Sequence, residues 1–131
     1  MLYALLCYND EDVVWAWDKK QDGEVMERLG VVRDRLEAAG KLGPSVRLLP
    51  TTAATTFRKT DPPLVIDGPF AETKEQQLGI YIVDVADLAE ALQIARELGD
   101  ANPGGAYEIR PLAVYNSGSP DAVAKRETAV G

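Results

Sequence analysis

Two short segments of the sequence, 2–8 and 79–85, are apolar at almost every position. The first reads Leu-Tyr-Ala-Leu-Leu-Cys-Tyr and the second reads Gly-Ile-Tyr-Ile-Val-Asp-Val. Because successive side chains of a strand point to opposite faces of a sheet, both faces of these strands must be covered. Helices of the chain can cover one face, and the commonest cover for the other is a second copy of the same chain. The sequence therefore predicts a sheet protein that forms a homodimer.

Helical periodicity occurs in two places between the predicted strands. Apolar residues from Val25 to Ala39 recur at spacings of four and three and are followed by Gly40, which predicts a helix over 19–39. Asp18 with Gln21 suits a capping box at its start. Asp87 is a suitable N-cap for a second apolar stripe, which ends at Gly99. Runs of apolar and β-branched residues predict further strands at 46–49, 52–59, 64–67 and 106–115, with 52–59 and 64–67 paired as a hairpin.

With 46–49 and 52–59, on either side of Pro50, counted once, the order of these elements is β-α-β-β-β-α-β. It predicts an α+β fold with a ferredoxin-like split βαβ sheet, both helices on one face, and an extra or broken strand near Pro50. Residues 1–115 are expected to form the domain. Residues 116–131 carry Ser, Gly, Pro and mixed charge without a sustained pattern, and are expected to form a flexible tail.

Composition excludes several classes of function. The net charge of −7 disfavours direct binding to nucleic acid or to anionic lipid, and no apolar stretch suits a membrane span. The chain has no histidine, which removes the usual nucleophilic relays and His-ligated zinc. Its one cysteine, Cys7, lies in an apolar run and is expected to be a buried hydrophobe rather than a reactive thiol. We expect a cytoplasmic protein with neither a metal nor a nucleotide cofactor.

One polar segment is distinctive. The stretch 67–76, Asp-Gly-Pro-Phe-Ala-Glu-Thr-Lys-Glu-Gln, directly precedes the apolar strand 79–85. It resembles the DGPF motif of the YCII-related proteins, and the resemblance extends to 2–8 and to 108–112.

This resemblance implies a dimeric α+β barrel, in agreement with the topology predicted above. It also implies a largely unassigned biochemical role, a suspected cleft, and a link to extracytoplasmic-function sigma factors. A His-Asp pair has been put forward as a catalytic dyad in the wider superfamily, and this chain cannot supply the histidine.

The motif and the neighbouring strands supply the candidate site residues. Asp67 is the candidate catalytic residue, as an acceptor or general base at the mouth of a cleft, with Lys74 or Arg110 binding an anionic group. The other candidate ligand-binding residues are Gly68, Pro69, Phe70, Tyr81 and Glu108.

Each candidate also has a purely structural interpretation. Asp67 to Pro69 can form a rigid turn in which Gly68 takes a conformation open to glycine, with Phe70 plugging an apolar site. Lys74 can be a solvated loop charge, Tyr81 a core residue, and Glu108 with Arg110 a pair at a cleft or a dimer interface. Trp15 and Trp17 can cap a cleft or pack over the end of the barrel.

The expected function is therefore to bind a small, potentially anionic molecule in a cleft of a homodimer, with acid–base chemistry free of cofactors as an added option. The alternative is a non-catalytic regulatory or protein-interaction module linked to a sigma factor, and a third is a domain kept for assembly only.

Overall fold

Strands and helices follow one another in the order that the sequence predicts, with one short additional helix after the first strand. The computed structural model describes residues 1–122. Its strands are β1 (Leu2–Asn9), β2 (Leu42–Arg47), β3 (Thr55–Arg58), β4 (Leu64–Asp67), β5 (Gln76–Asp84) and β6 (Ala106–Pro111). Its helices are α1 (Glu11–Val14), α2 (Lys19–Ala38) and α3 (Leu88–Ala101), with a 3₁₀ turn at Thr51–Ala53.

Four strands form one antiparallel sheet in the order β2-β5-β1-β6. This order, with α2 and α3 as the connecting helices, confirms the ferredoxin-like α+β fold. The remaining strands, β3 and β4, pair with each other as a separate two-stranded sheet, which confirms the predicted hairpin. Pro50 lies between β2 and the 3₁₀ turn, so the break in pairing occurs where the sequence predicts it.

One face of the four-stranded sheet packs against α2 and α3. On β1 and β5 this face is formed by alternate residues such as Tyr3, Leu5 and Val83, all of them buried. The helices contribute the predicted stripes to the same core, which consists of Val25, Leu29 and Leu36 from α2 and Ala91, Ile94, Leu98 and Ala101 from α3. The main core cluster therefore lies on this side of the sheet, which we call the helix-facing side.

The opposite side, which we call the open face, carries the other set of alternate residues. Leu6 lies opposite Ile80 on β5 and Glu108 on β6, and all three point to this face. Its apolar members are Leu2, Ala4, Leu6, Val46, Ile80 and Ile82, and none of them belongs to the core cluster. Val46 is 54% exposed and Leu6 is only half-buried. A second copy on this face remains a prediction.

Several helix and strand ends depart from the predictions. β2 covers Leu42–Arg47 instead of the predicted 46–49, and β3 covers only Thr55–Arg58 of the predicted 52–59, after a 3₁₀ turn. β5 begins at Gln76, ahead of the predicted 79–85. α3 continues through Gly99 to Ala101, because Leu98 and Ala101 are buried and this packing outweighs the roughly 1 kcal/mol cost of a glycine inside a helix. β6 ends at Pro111 instead of Tyr115. The other predicted caps are confirmed. Asp18 and Asp87 accept hydrogen bonds at the starts of α2 and α3, and Gly40 follows α2 with a φ of 70°.

Residues 112–122 contain neither helix nor strand, and the rest of the predicted tail lies outside the described residues. None of the helices described is both long enough and apolar enough to cross a membrane.

Candidate functional site

A cavity of about 170 Å³ lies between the helix-facing side of the sheet and α2. Its floor is formed by residues of all four strands, and its roof by α2 and by the segment that follows α1. The lining residues are Cys7, Val14, Trp17, Met26, Leu29, Arg33, Ser45, Val46, Arg47, Leu78, Gly79, Tyr81, Asn102 and Tyr107. We call this cavity the pocket.

Strand register brings the polar groups of the floor together. Cys7 on β1 is directly opposite Tyr107 on β6, and Tyr81 on β5 is opposite Leu5, two residues along β1. All three side chains point to the helix-facing side, because directly opposed residues share a face and alternate positions do too. Cys7 is buried and free, as the sequence predicts.

Asn102, at the end of α3, links two of these groups. Its side-chain Nδ2 donates to the hydroxyl of Tyr107 at 3.5 Å and lies 3.9 Å from Sγ of Cys7. Burial raises the pKa of the Cys7 thiol and raises the pKa of the Tyr107 hydroxyl far above its ordinary value. Burial also raises the pKa of Tyr81, against the opposing effect of the Arg33 charge. All three groups are therefore protonated at neutral pH and can donate hydrogen bonds.

Two arginines line the pocket, and they differ in their partners. Arg47 forms an ion pair with Asp22 at 3.5 Å, lies 5.0 Å from the centre of the Trp15 ring, and donates to the sulfur of Met26 at 3.8 Å. The Nε atom of Arg33 is buried and has no hydrogen-bond partner among the described residues. Leaving a buried donor unpaired costs roughly 1–3 kcal/mol, so such a group calls for an explanation.

In the part of the chain that the structure describes, the lining contains two guanidinium groups and no carboxylate. In a chain of net charge −7, this makes the pocket an electropositive site within an acidic protein. Within residues 1–122, no cluster of three or more His, Cys, Asp or Glu side chains is arranged to hold a metal ion. The pocket can therefore attract an anion and hydrogen-bond it through neutral donors.

The structure places the predicted site residues in three different regions. Tyr81 lines the pocket, whereas Glu108 and Arg110 lie on the open face, where the Tyr8 hydroxyl is 3.5 Å from Glu108. Asp67, Gly68, Pro69, Phe70 and Lys74 belong to the end of the β3–β4 hairpin and the loop after it, and none of them lines the pocket. Within the described part of the chain, Asp67 forms no ion pair with Lys74 or Arg110.

The DGPF segment forms a turn that is held by hydrogen bonds to β3 and to the residue before that strand. Gly68 has a φ of 122°, which favours glycine, and its amide donates to the Ala54 carbonyl at 2.8 Å. Its own carbonyl accepts from the Thr56 hydroxyl at 2.8 Å. The prediction that Phe70 plugs an apolar site is wrong, because Phe70 fills no such site of its own chain. Phe70 is 72% exposed, and the Arg58 guanidinium stacks 5.0 Å from its ring centre. The hairpin faces solvent on this side, so the ring has no site to fill.

Several pocket residues were not among the sequence-based candidates. Arg33 follows Leu29 by four residues and precedes Leu36 by three, so it lies on the buried stripe of α2. A positive charge on an otherwise apolar stripe could have identified this residue from the sequence. Of the two tryptophans that the sequence analysis considered as caps of a cleft, Trp17 lines the pocket, whereas Trp15 stacks on Arg47. Tyr107 and Asn102 gave no local signal, because their role depends on the register of β6 against β1.

Comparisons with known proteins agree with the resemblance noted in the sequence. The model of a family described as "YCII-related domain" matches residues 1–116. An uncharacterized protein of Rhizobium meliloti (strain 1021) is 58% identical over 120 residues, which is 90% of this chain and 97% of the relative.

Proposed function

The chain belongs to the YCII-related family, and from that premise we propose that it binds a small anionic molecule in the pocket between its sheet and α2. The observation that carries the proposal is that Arg33 lines the cavity without an ion pair, while the described lining residues include no carboxylate. A bound anion would compensate this positive charge. The proposed site lies within a single chain rather than in a cleft between two chains.

Binding is favoured over acid–base turnover by the state of the ionisable groups. A general base works best with a pKa near the operating pH, whereas burial raises the pKa of Cys7, Tyr81 and Tyr107 above their ordinary values. These groups can hold a ligand by donating hydrogen bonds, and any chemistry they add is that of an acid. We therefore propose a binding protein whose pocket can at most assist by protonation.

The test is a thermal-shift screen of the full chain with small carboxylic acids and neutral molecules of matched size. At ten times its Kd a ligand adds about 1.4 kcal/mol to the free energy of unfolding, which raises Tm by roughly 5 °C in a domain of this size. We expect at least one acid to raise the Tm of the native protein by this amount. The control variant Arg96→Gln, at an exposed position of α3, should show the same rise in Tm. The shift should disappear in Arg33→Gln.

If no acid raises Tm, or if Arg33→Gln responds like the native protein, the binding proposal fails. The alternative would then gain weight, namely a non-catalytic interaction module whose partner is an extracytoplasmic-function sigma factor. The β3–β4 hairpin favours that alternative, because it exposes five large apolar side chains. These are Phe57, Leu64, Val65, Ile66 and Phe70.

We also propose that a second copy of the chain covers the open face. None of the described helices packs on the apolar residues of that face, and Glu108 and Arg110 stand two residues apart at its β6 edge. Neither of these two forms an ion pair among the described residues. Across a two-fold axis, each Glu108 can face an Arg110 of the other copy, which supports a self-complementary contact.

This pairing predicts that light scattering will give the mass of two chains at micromolar concentration. Ile80→Lys places a charge at the centre of the open face and should yield a single chain. Val31→Lys adds the same charge on the solvent side of α2, where Val31 is 67% exposed, and should leave the mass unchanged. A native protein with the mass of one chain would contradict the pairing.

A further inference from the structure

We propose that the ligand of the pocket is a monocarboxylic acid whose body is a single apolar ring or a branched chain of that size. This inference rests on the proposed function and names the chemical class that the pocket would select. Three properties of the pocket support it: its volume, the character of its walls and the number of its unpaired charges.

The volume limits the ligand to about one ring. The pocket measures about 170 Å³, whereas an engineered apolar cavity of about 150 Å³ in another protein accommodates benzene. There is space for a six-membered ring and one small substituent. A nucleotide, a coenzyme or a fused-ring compound would exceed this volume.

The walls are apolar where they face the body of a ligand. Val14, Trp17, Met26, Leu29 and Leu78 supply this surface from three separate parts of the chain. A strongly hydrated anion such as inorganic phosphate would lose water against these side chains without gaining partners. An apolar body removes the same surface from water and is favoured by roughly 25 cal/mol per Å².

The charges of the pocket match one negative charge. Arg47 is already paired with Asp22, which leaves Arg33 as the lining guanidinium that forms no ion pair among the described residues. The two terminal NH₂ groups of a guanidinium form a planar fork that binds the two oxygens of a carboxylate. A carboxylate therefore fits this site in both charge and shape, whereas a dianion would keep an uncompensated charge.

The neutral donors lie elsewhere on the floor. The hydroxyl of Tyr107 and the amide of Asn102 are already within 3.5 Å of each other beside Cys7. They can hydrogen-bond a hydroxyl or carbonyl substituent on the ring, but they supply no charge. Recognition of the acid group thus falls to Arg33.

The test uses three probes on the full chain, measured by isothermal titration calorimetry. Benzoate is the acid of the proposed size, benzamide is its neutral isostere, and inorganic phosphate is an anion without an apolar body. We expect saturable binding of benzoate, at least tenfold weaker binding of benzamide and no binding of phosphate. Arg33→Gln should weaken benzoate at least tenfold and leave benzamide within twofold, and the retained benzamide binding shows that the pocket is still folded.

Arg33→Lys keeps the positive charge but loses the fork, so its affinity for benzoate should fall between those of the native protein and Arg33→Gln. Arg96→Gln should behave like the native protein. Equal affinity for benzoate and benzamide, or Arg33-dependent binding of phosphate, would overturn the carboxylate assignment while leaving a ligand-binding pocket. Failure of benzoate, when another acid of the thermal screen binds, would overturn the assigned size, and failure of every acid would overturn the proposed function itself.

Discussion

Replacing Gly105 with alanine should lower the free energy of unfolding by about 2–5 kcal/mol. Gly105 has a φ of 76°, where an L-residue costs roughly 1–2 kcal/mol. A Cβ at this position would also overlap the carbonyl oxygen of Tyr8 and lie 3.0 Å from Cβ of Asn9. Because the first of these atoms belongs to the backbone of β1, no change of rotamer relieves the overlap, and forced shifts of this kind cost about 1–3 kcal/mol more.

The neighbouring Gly104 provides a matched control. Its φ is 79°, but the nearest atoms to an added Cβ belong to the Asn9 side chain, at 3.4 Å or more. Gly104→Ala should therefore lower the free energy of unfolding only by the cost of placing an L-residue at a positive φ, which is roughly 1–2 kcal/mol. Urea unfolding of both variants measures the difference. Equal losses for the two variants would show that the close approach of residue 105 to β1 does not constrain the fold.

The effect of Gly105→Ala should extend to the pocket. Gly105 lies between Asn102 and Tyr107, whose side chains are joined by a hydrogen bond, and the loop is held by Asn9, whose Nδ2 donates to the Pro103 carbonyl at 3.1 Å. A shift of this loop would change the position of Tyr107 relative to Cys7. The same close approach thus supports both the register of β6 and the floor of the pocket.

Local patterns were sufficient to predict most of the fold. Two kinds of pattern can be recognised from the sequence because each depends on residues within one or two helical turns. They are the apolar spacing from Val25 to Leu36 and the caps at Asp18 and Asp87. The end of β6 could not be predicted this way. The residues from Ala113 to Tyr115 are of types that favour a strand, but β6 pairs with β1 and can extend only as far as β1 does. Pro111 pairs with Tyr3, and β1 begins at Leu2, so the residues after 112 have no partner in β1.

The candidate site shows the limit of the same reasoning. The DGPF segment is predicted as a site because ten consecutive residues form a recognisable motif. In the structure it is a turn whose Gly68 carbonyl accepts a hydrogen bond from Thr56 of β3. The pocket, in contrast, joins Cys7, Tyr81 and Tyr107, which are about a hundred residues apart at the extremes. Their proximity follows from strand register, which depends on tertiary packing rather than on neighbouring letters. Among the residues that the sequence analysis did not select, Arg33 had a local signal, a charge on a buried stripe.

The two faces of the sheet have separate roles in these proposals. The pocket lies on the helix-facing side and is complete within one chain, whereas the open face is where a second copy is proposed to bind. Substitutions on the two faces should therefore have effects of different kinds. β1 offers the sharpest comparison, because its adjacent residues Leu5 and Leu6 point to opposite faces.

Leu5→Ala should lower the free energy of unfolding by about 2–5 kcal/mol, because Leu5 is fully buried against the helices and its truncation leaves a cavity. This cost should be the same at any protein concentration, since the contacts are made within one chain. The measurement is urea unfolding at two concentrations that differ by about a hundredfold.

Leu6→Ala makes the same chemical change one residue away, on the open face, where the side chain is half-buried within one chain. Its cost should be smaller at low concentration and should grow as the concentration rises, because a second copy would bury the native leucine and stabilise the folded state by mass action. A Leu6→Ala cost that does not change with concentration would argue against a second copy on the open face. A Leu6→Ala cost equal to that of Leu5→Ala at the lower concentration would instead place part of the core on the open face.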